Sequence, residues 1–258
     1  MVIPVEKLNG IKRILDHRFE EYHKSEFIKS DPIVVPHSFN KKQDIEIAAF
    51  FAAILAWGNR SSIIRSARRI MELMHMAPYD FVLHHEERDL KPMLAFVHRT
   101  FNATDLLYTI SFFKHHYQQY SSMEQAFFPN AQMNVQEALI HFHHYFFSLP
   151  YAPERTRKHI ATPEKKSACK RLNMFFRWML RQESPVDFGI WRSIAPSQLI
   201  CPLDTHVGDV ARKLGLLQRK QNDWAAALQL TEALRLLDPE DPVRYDYALF
   251  SLGVAERF

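Results

Sequence analysis

Apolar residues along this chain recur mostly at spacings of three and four, the period of a helix with one buried face. Ile11, Leu15, Phe19 and Tyr22 fall on one face of a helix predicted from Val5 to Lys29, which Asp31-Pro32 through Pro36 breaks. Asp44 fits an N-cap, and the dense apolar run Ile45 to Trp57 that follows reads as a helix buried on most sides. Gly58-Asn59 offers a stop and a turn before a basic helix from Ser61 to Met76. Pro78, Pro92, Pro129, Pro150 and Pro153 punctuate further helical stretches near Thr104 to Tyr120 and Val135 to Phe147. Thr162-Pro163-Glu164 has the order of a helix start, for a helix running to about Arg181. Thr205 to Leu214, Trp224 to Leu237 and Tyr245 to Val254 complete the pattern. The expectation is an all-α, irregular fold of about ten helices without a strand pair.

Composition agrees with that pattern. Only 6 glycines occur in 258 residues, too few for the tight turns of a sandwich or barrel. With 47% hydrophobic and 24% charged residues the chain has the balance of a globular protein. It is long enough for a single unit over residues 1–258, or for two interleaved subdomains, roughly 40–150 and 1–39 plus 151–258, with a cleft between them. No secretory leader and no window approaching 18 apolar residues is evident, so a cytoplasmic protein with no membrane partner is expected. Cys169 and Cys201 are too few for a disulfide framework or an iron–sulfur cluster, and no cofactor is expected. The 14 histidines include His84-His85, His115-His116 and the pair His141 and His144. None stands in an HExxH pattern, and no metal site is expected. Phe112-Phe113 and Tyr145-Phe146-Phe147 read as core.

Charge is polarised along the sequence although its sum is only +4. Glu154 to Gln182 carries nine Lys/Arg against two Glu, while Asn222 to Phe258 carries seven acids against three Arg. A basic block permits nucleic-acid binding, and this one lies just before the segment with the most chemical content. There Pro202-Leu203-Asp204-Thr205-His206-Val207 leads into a helix ending Arg212-Lys213-Leu214-Gly215-Leu216. A carboxylate at a helix start sits beside unpaired backbone N–H groups, where it is either a cap or a charge held at a cleft.

The string Leu203 to Val207, followed by Lys213-Leu214-Gly215-Leu216, resembles the V-D-T-H-V and R-L-G-L strings of the endonuclease III and adenine-mismatch branch of the helix-hairpin-helix DNA glycosylases. The resemblance implies that Asp204 is a catalytic carboxylate, which activates water or stabilises a cationic sugar. It makes Lys170, 34 residues earlier, the candidate amine nucleophile, with His206 in a secondary role and Lys165, Lys166 and Arg171 as DNA contacts. Such chemistry is physically reasonable, since breaking an N-glycosidic bond builds positive charge on the sugar that a nearby anion stabilises. Asp44 to Leu73 resembles the opening helix pair of that superfamily. Its turn, Trp57-Gly58-Asn59-Arg60, then supplies a stacking ring in Trp57, a wedge in Asn59 and a phosphate clamp in Arg60. The chain departs from the family in three places. Thr162-Pro163-Glu164-Lys165-Lys166-Ser167-Ala168 stands where the hairpin has L-P-G-x-G-x-K, Asp209 stands where the family string has Arg, and the cluster cysteines are missing.

Segments from Asp44 to Pro242 also look like an uncharacterised bacterial family of unknown function, distantly related to these glycosylases. The expected function is therefore DNA binding, with hydrolysis of the N-glycosidic bond of a damaged or modified base. Two alternatives remain open: a nucleic-acid-binding protein of this fold without the chemistry, and an interaction module with no nucleic acid.

Overall fold

The computed structural model describes residues 4–130 and 132–255. In chain order its α-helices are α1 (Val5–Tyr22), α2 (Ser25–Ile28), α3 (Lys42–Ile54), α4 (Arg60–Leu73), α5 (Pro78–His84), α6 (Glu87–Leu90), α7 (Ala103–Tyr117), α8 (Glu124–Phe127), α9 (Val135–Phe146), α10 (Lys170–Leu180), α11 (Thr205–Leu214), α12 (Trp224–Arg235) and α13 (Tyr245–Ala255). Short 3₁₀ turns join them. The fold is mostly helical, as expected, with more helices than the ten anticipated. The additions α2, α6 and α8 are single turns of four residues, too short to show a period. One antiparallel pair, β1 (Val97–His98) with β2 (Phe101–Asn102), was also not expected. Its tight turn is made possible by Arg99, which adopts a left-handed φ of 55°.

The chain divides into two compact units, residues 28–161 and residues 1–27 with 162–258. The first is built around α3, in which every residue from Ile45 to Ile54 is buried. Phe50 and Phe51 meet Phe113 of α7 edge to face, and Phe50 also meets Phe142 of α9, the arrangement that ring quadrupoles favour. Glu46 lies within this apolar helix, fully buried, and accepts from the Tyr117 hydroxyl at 2.9 Å and the Met123 amide at 3.0 Å. Those donors replace the water that a buried carboxylate loses. Asp44 does not cap α3, which begins two residues earlier; its carboxylate accepts from the Tyr79 amide at 2.8 Å and so serves the first turn of α5.

In the second unit α13 packs against both α1 and α11. Lys12 of α1 donates to the Leu237 carbonyl at 2.8 Å, and the Tyr245 hydroxyl donates to Asp16 at 2.9 Å. The helix expected from Thr162 is interrupted. Thr162 caps only the 3₁₀ turn Pro163–Lys165, Lys166 and Cys169 take left-handed φ values of 59° and 50°, and α10 starts at Lys170. The turn is held from outside, because the Lys166 carbonyl accepts from the Trp224 amide at 3.1 Å. α11 runs over the residues the pattern gave it, since Asp204 caps its start and Gly215, at φ 79°, ends it in the left-handed conformation glycine adopts without strain.

Candidate functional site

Asp204 is placed by the loop that ends at Pro202-Leu203 and by the first turn of α11. Its Oδ1 accepts from the Val207 amide at 3.0 Å, which satisfies one of the unpaired donors at the helix start. Its Oδ2 lies 3.9 Å from Nζ of Lys170, the first residue of α10. Both side chains are about a quarter exposed, 27% for Asp204 and 26% for Lys170, so the pair is open to a reactant and partly shielded from water. His206 stands beside it, with Nδ1 4.0 Å from Asp204 Oδ1, and is largely exposed. Asn222 donates from Nδ2 to the Asp204 carbonyl at 3.2 Å, tying the loop to the segment before α12. The position of α11 is further fixed by Gly253 on α13, where a Cβ would come within 3.0 Å of the His206 Cβ.

A buried charge network in the same unit went unnoticed in the sequence. Arg177 in the last turn of α10 and Arg181 just past its end are both almost fully buried. Arg177 donates to Asp246 and lies 3.4 Å from Asp187, while Arg181 meets Asp187 at 3.1 Å and Asp241 at 2.7 Å. The Tyr247 hydroxyl donates to Asp187 at 2.8 Å. Burial pushes the Asp246 carboxyl up to about 6 against the pull of Arg177 and Lys170, with the charge of Asp204 assisting. Burial also raises the Cys201 thiol well above its ordinary range, which makes it a poor nucleophile. The one clue in the sequence was the four-residue spacing of two arginines among apolar residues, Arg177 and Arg181.

These contacts correct the picture of the basic block. Arg155 is bonded to the fully buried Asp105, and Arg177 and Arg181 are committed to the internal acids, so the block is not one cationic surface. Lys165 and Lys166 are exposed in the turn before α10 and Arg171 is its second residue. Asp209 is exposed and lies 3.4 Å from Arg212.

Trp57, Asn59 and Arg60 belong to the other unit, at the turn between α3 and α4. Asn59 is the N-cap of α4, accepting from the Ser62 amide at 3.3 Å, and is exposed. Trp57 is half-buried, with its ring stacked on His159 at 5.6 Å and edge-on to His98 at 5.3 Å. Arg60 is the first residue of α4. The structure thus gathers Asp204, Lys170 and His206 at one place, with Lys165, Lys166 and Arg171 close to Lys170 in sequence.

Among the described residues no group of three or more His, Cys, Asp or Glu is placed to hold a metal ion, and no helix is long and apolar enough to cross a membrane. Residues 31–255 match the family described as "Protein of unknown function (DUF2400)". No curated protein and no solved structure matches the chain.

Proposed function

The chain belongs to that family of unknown function, a membership that carries no stated activity, and from its own residues we propose that it binds nucleic acid and hydrolyses the N-glycosidic bond of a damaged or modified base. The observation that carries this reading is the Asp204–Lys170 pair, a carboxylate and a primary amine 3.9 Å apart at the starts of two helices and both partly exposed. As the bond to the base breaks, its electron pair leaves with the base and positive charge grows on the sugar. The Asp204 Oδ2 is the anion for that charge, and its Oδ1 stays on the Val207 amide, which keeps the carboxylate oriented. A water that loses its proton to Asp204 completes hydrolysis. Alternatively, the Lys170 amine attacks the anomeric carbon as the base leaves with the electron pair of its bond, and passes one proton to the ring oxygen as the sugar opens to an imine, the species that borohydride reduces.

The test is excision on a panel of duplexes carrying oxidised, alkylated, deaminated and mismatched bases, with and without borohydride. Asn is as good an N-cap as Asp, so Asp204→Asn retains the fold while removing the charge. Base release by the wild type that is lost in Asp204→Asn is the expected result, and a borohydride-trapped adduct lost in Lys170→Gln assigns the nucleophile. Release that persists undiminished in Asp204→Asn removes the proposal. A second reading, binding without chemistry, is favoured by the full use of Asp204 Oδ1 as a cap; it predicts salt-sensitive nucleic-acid binding and no base release from any duplex of the panel.

A further inference from the structure

The unit formed by residues 28–161 carries an open trough that the site at Asp204 does not use. Two adjoining cavities, about 810 Å³ and about 420 Å³, share Arg65, Ser66 and Val97 in their walls. One wall is the solvent face of α4, and the other is the turn Lys91–Ala95 with β1. Arg65 and Arg68 project from α4, spaced three residues apart and therefore on one face. Both are exposed, and neither has a carboxylate partner among the described residues. Arg69 differs, because it is paired with Glu72 at 3.3 Å. At the narrow end Arg99 adds a third cation, held in its left-handed turn with its guanidinium against the bare face of Gly58. The facing wall is apolar: Pro92 and Val97 are exposed, Val97 to 65%.

We propose that this trough binds a single strand of nucleic acid, its phosphates along Arg65, Arg68 and Arg99 and its bases against Pro92 and Val97. Two guanidinium groups on the α4 wall and a third at the narrow end, none paired with a carboxylate among the described residues, favour a polyanion over a neutral ligand. The apolar wall selects among polyanions. A duplex presents phosphates outward and hides its base faces, which leaves Val97 and Pro92 without a partner. A single strand has a charged edge and an apolar edge, and matches both walls. The proposal rests on nucleic acid being the ligand of this protein and does not depend on Asp204 cleaving anything.

The experiment measures fluorescence anisotropy of a labelled oligothymidylate and of a blunt duplex of equal length, with the full chain, over a range of salt. The wild type is expected to bind the single strand at least tenfold more tightly than the duplex. Arg65→Gln with Arg68→Gln is expected to weaken it about tenfold and to flatten the slope of log affinity against log salt by about 1.4, two contacts at about 0.7 each. Arg65→Lys with Arg68→Lys restores most of the affinity, because phosphates are read here as charge, and the uncharged Val97→Asn weakens binding without a comparable change in slope. Both α4 positions are exposed, and circular dichroism confirms that each variant is folded. A duplex bound as tightly as the single strand, or a double Gln variant that binds like the wild type, overturns the proposal. Base release by wild type and Asp204→Asn is read separately, so its absence removes the reading at Asp204 and leaves this one standing.

Discussion

Asp204 uses its two carboxylate oxygens differently, and substitutions at this residue separate the two uses. Oδ1 caps α11 through Val207 and Oδ2 faces Lys170. Asp204→Ala loses both and is expected to lower stability by about 1 kcal/mol, the usual value of an N-cap, whereas Asp204→Asn keeps the cap and changes stability by no more than a few tenths. The ion pair with Lys170 adds little to either figure, since partly exposed pairs contribute about 0–1 kcal/mol. Urea denaturation of the two variants beside the wild type checks this; equal losses would mean that charge, and not capping, holds the loop. Asp204 was legible as a candidate because the short string Leu203 to Val207 carries it; Lys170, 34 residues earlier, was a candidate only through the resemblance. Asp246 was not, although it lies in the same charged neighbourhood: it stands 69 residues from its partner Arg177, and a lone acid in a C-terminal stretch rich in acids reads as surface.

At the scale of elements, the turn before α10 shows where periodicity stops being informative. The pattern Thr162-Pro163-Glu164 is a sound helix start, and a cap does form, but two left-handed residues then delay the helix to Lys170. Neither is glycine, so nothing local marks them; the conformation is held by the contact of the Lys166 carbonyl with the Trp224 amide and the bridge between Ser167 and Asp223. A left-handed lysine costs about 1 kcal/mol relative to glycine, offset in part by the greater freedom of glycine in the unfolded chain. Lys166→Gly is therefore expected to leave the melting temperature unchanged or slightly raised. Lys166→Val, with a branched Cβ in the same conformation, is expected to lower stability by more than about 1 kcal/mol. If both variants melt alike, the turn is not left-handed in solution. α11, by contrast, was legible to the residue because its cap and its terminal glycine are both local.

Crossings between helices follow the same logic of contact. α13 approaches α11 through Gly253, and a Cβ there would meet His206 Cβ at 3.0 Å and its carbonyl oxygen at 3.2 Å. A serine or alanine requires a shift of a few tenths of an ångström, and a valine requires more. Gly253→Val is expected to cost about 1–3 kcal/mol and, by moving the first turn of α11, to lower any base release by more than it lowers binding. Loss of both in equal proportion, with stability unchanged, would contradict this account.

Over the whole molecule, acid distinguishes the two units. In residues 28–161 His116 is fully buried, with Nε2 bonded to the Ser122 carbonyl at 2.9 Å and Nδ1 to the Tyr145 hydroxyl at 3.2 Å. Burial lowers it to about 4 from an ordinary 6.5. The unfolded chain therefore binds a proton more readily than the native one throughout that interval. The stability due to neutral His116 is complete above about 6.5 and is lost as pH falls toward 4, by about 2 kcal/mol between pH 7 and pH 5. His23 in the other unit is lowered to about 4, by burial and then by Arg181, and acts in the same direction. There, however, Asp246 opposes it. A carboxyl raised to about 6 favours the native state when protonated, so its contribution grows as pH falls through 6 and offsets most of the loss at His23. Asp105, held at about 2 with the help of His159 and the Asn102 amide, titrates below this window and leaves the balance alone. Hydrogen exchange followed by mass spectrometry, corrected for intrinsic rates, should show protection of α3 and α7 falling about thirtyfold from pH 7 to pH 5, against a much smaller change in α10 and α13. His116→Gln, which can still donate to Ser122 and does not titrate, should reduce the difference, leaving the smaller part due to His98 and His141, both also lowered by burial. Equal loss in both units, or a difference undiminished in His116→Gln, would show that His116 does not set the acid sensitivity of its unit.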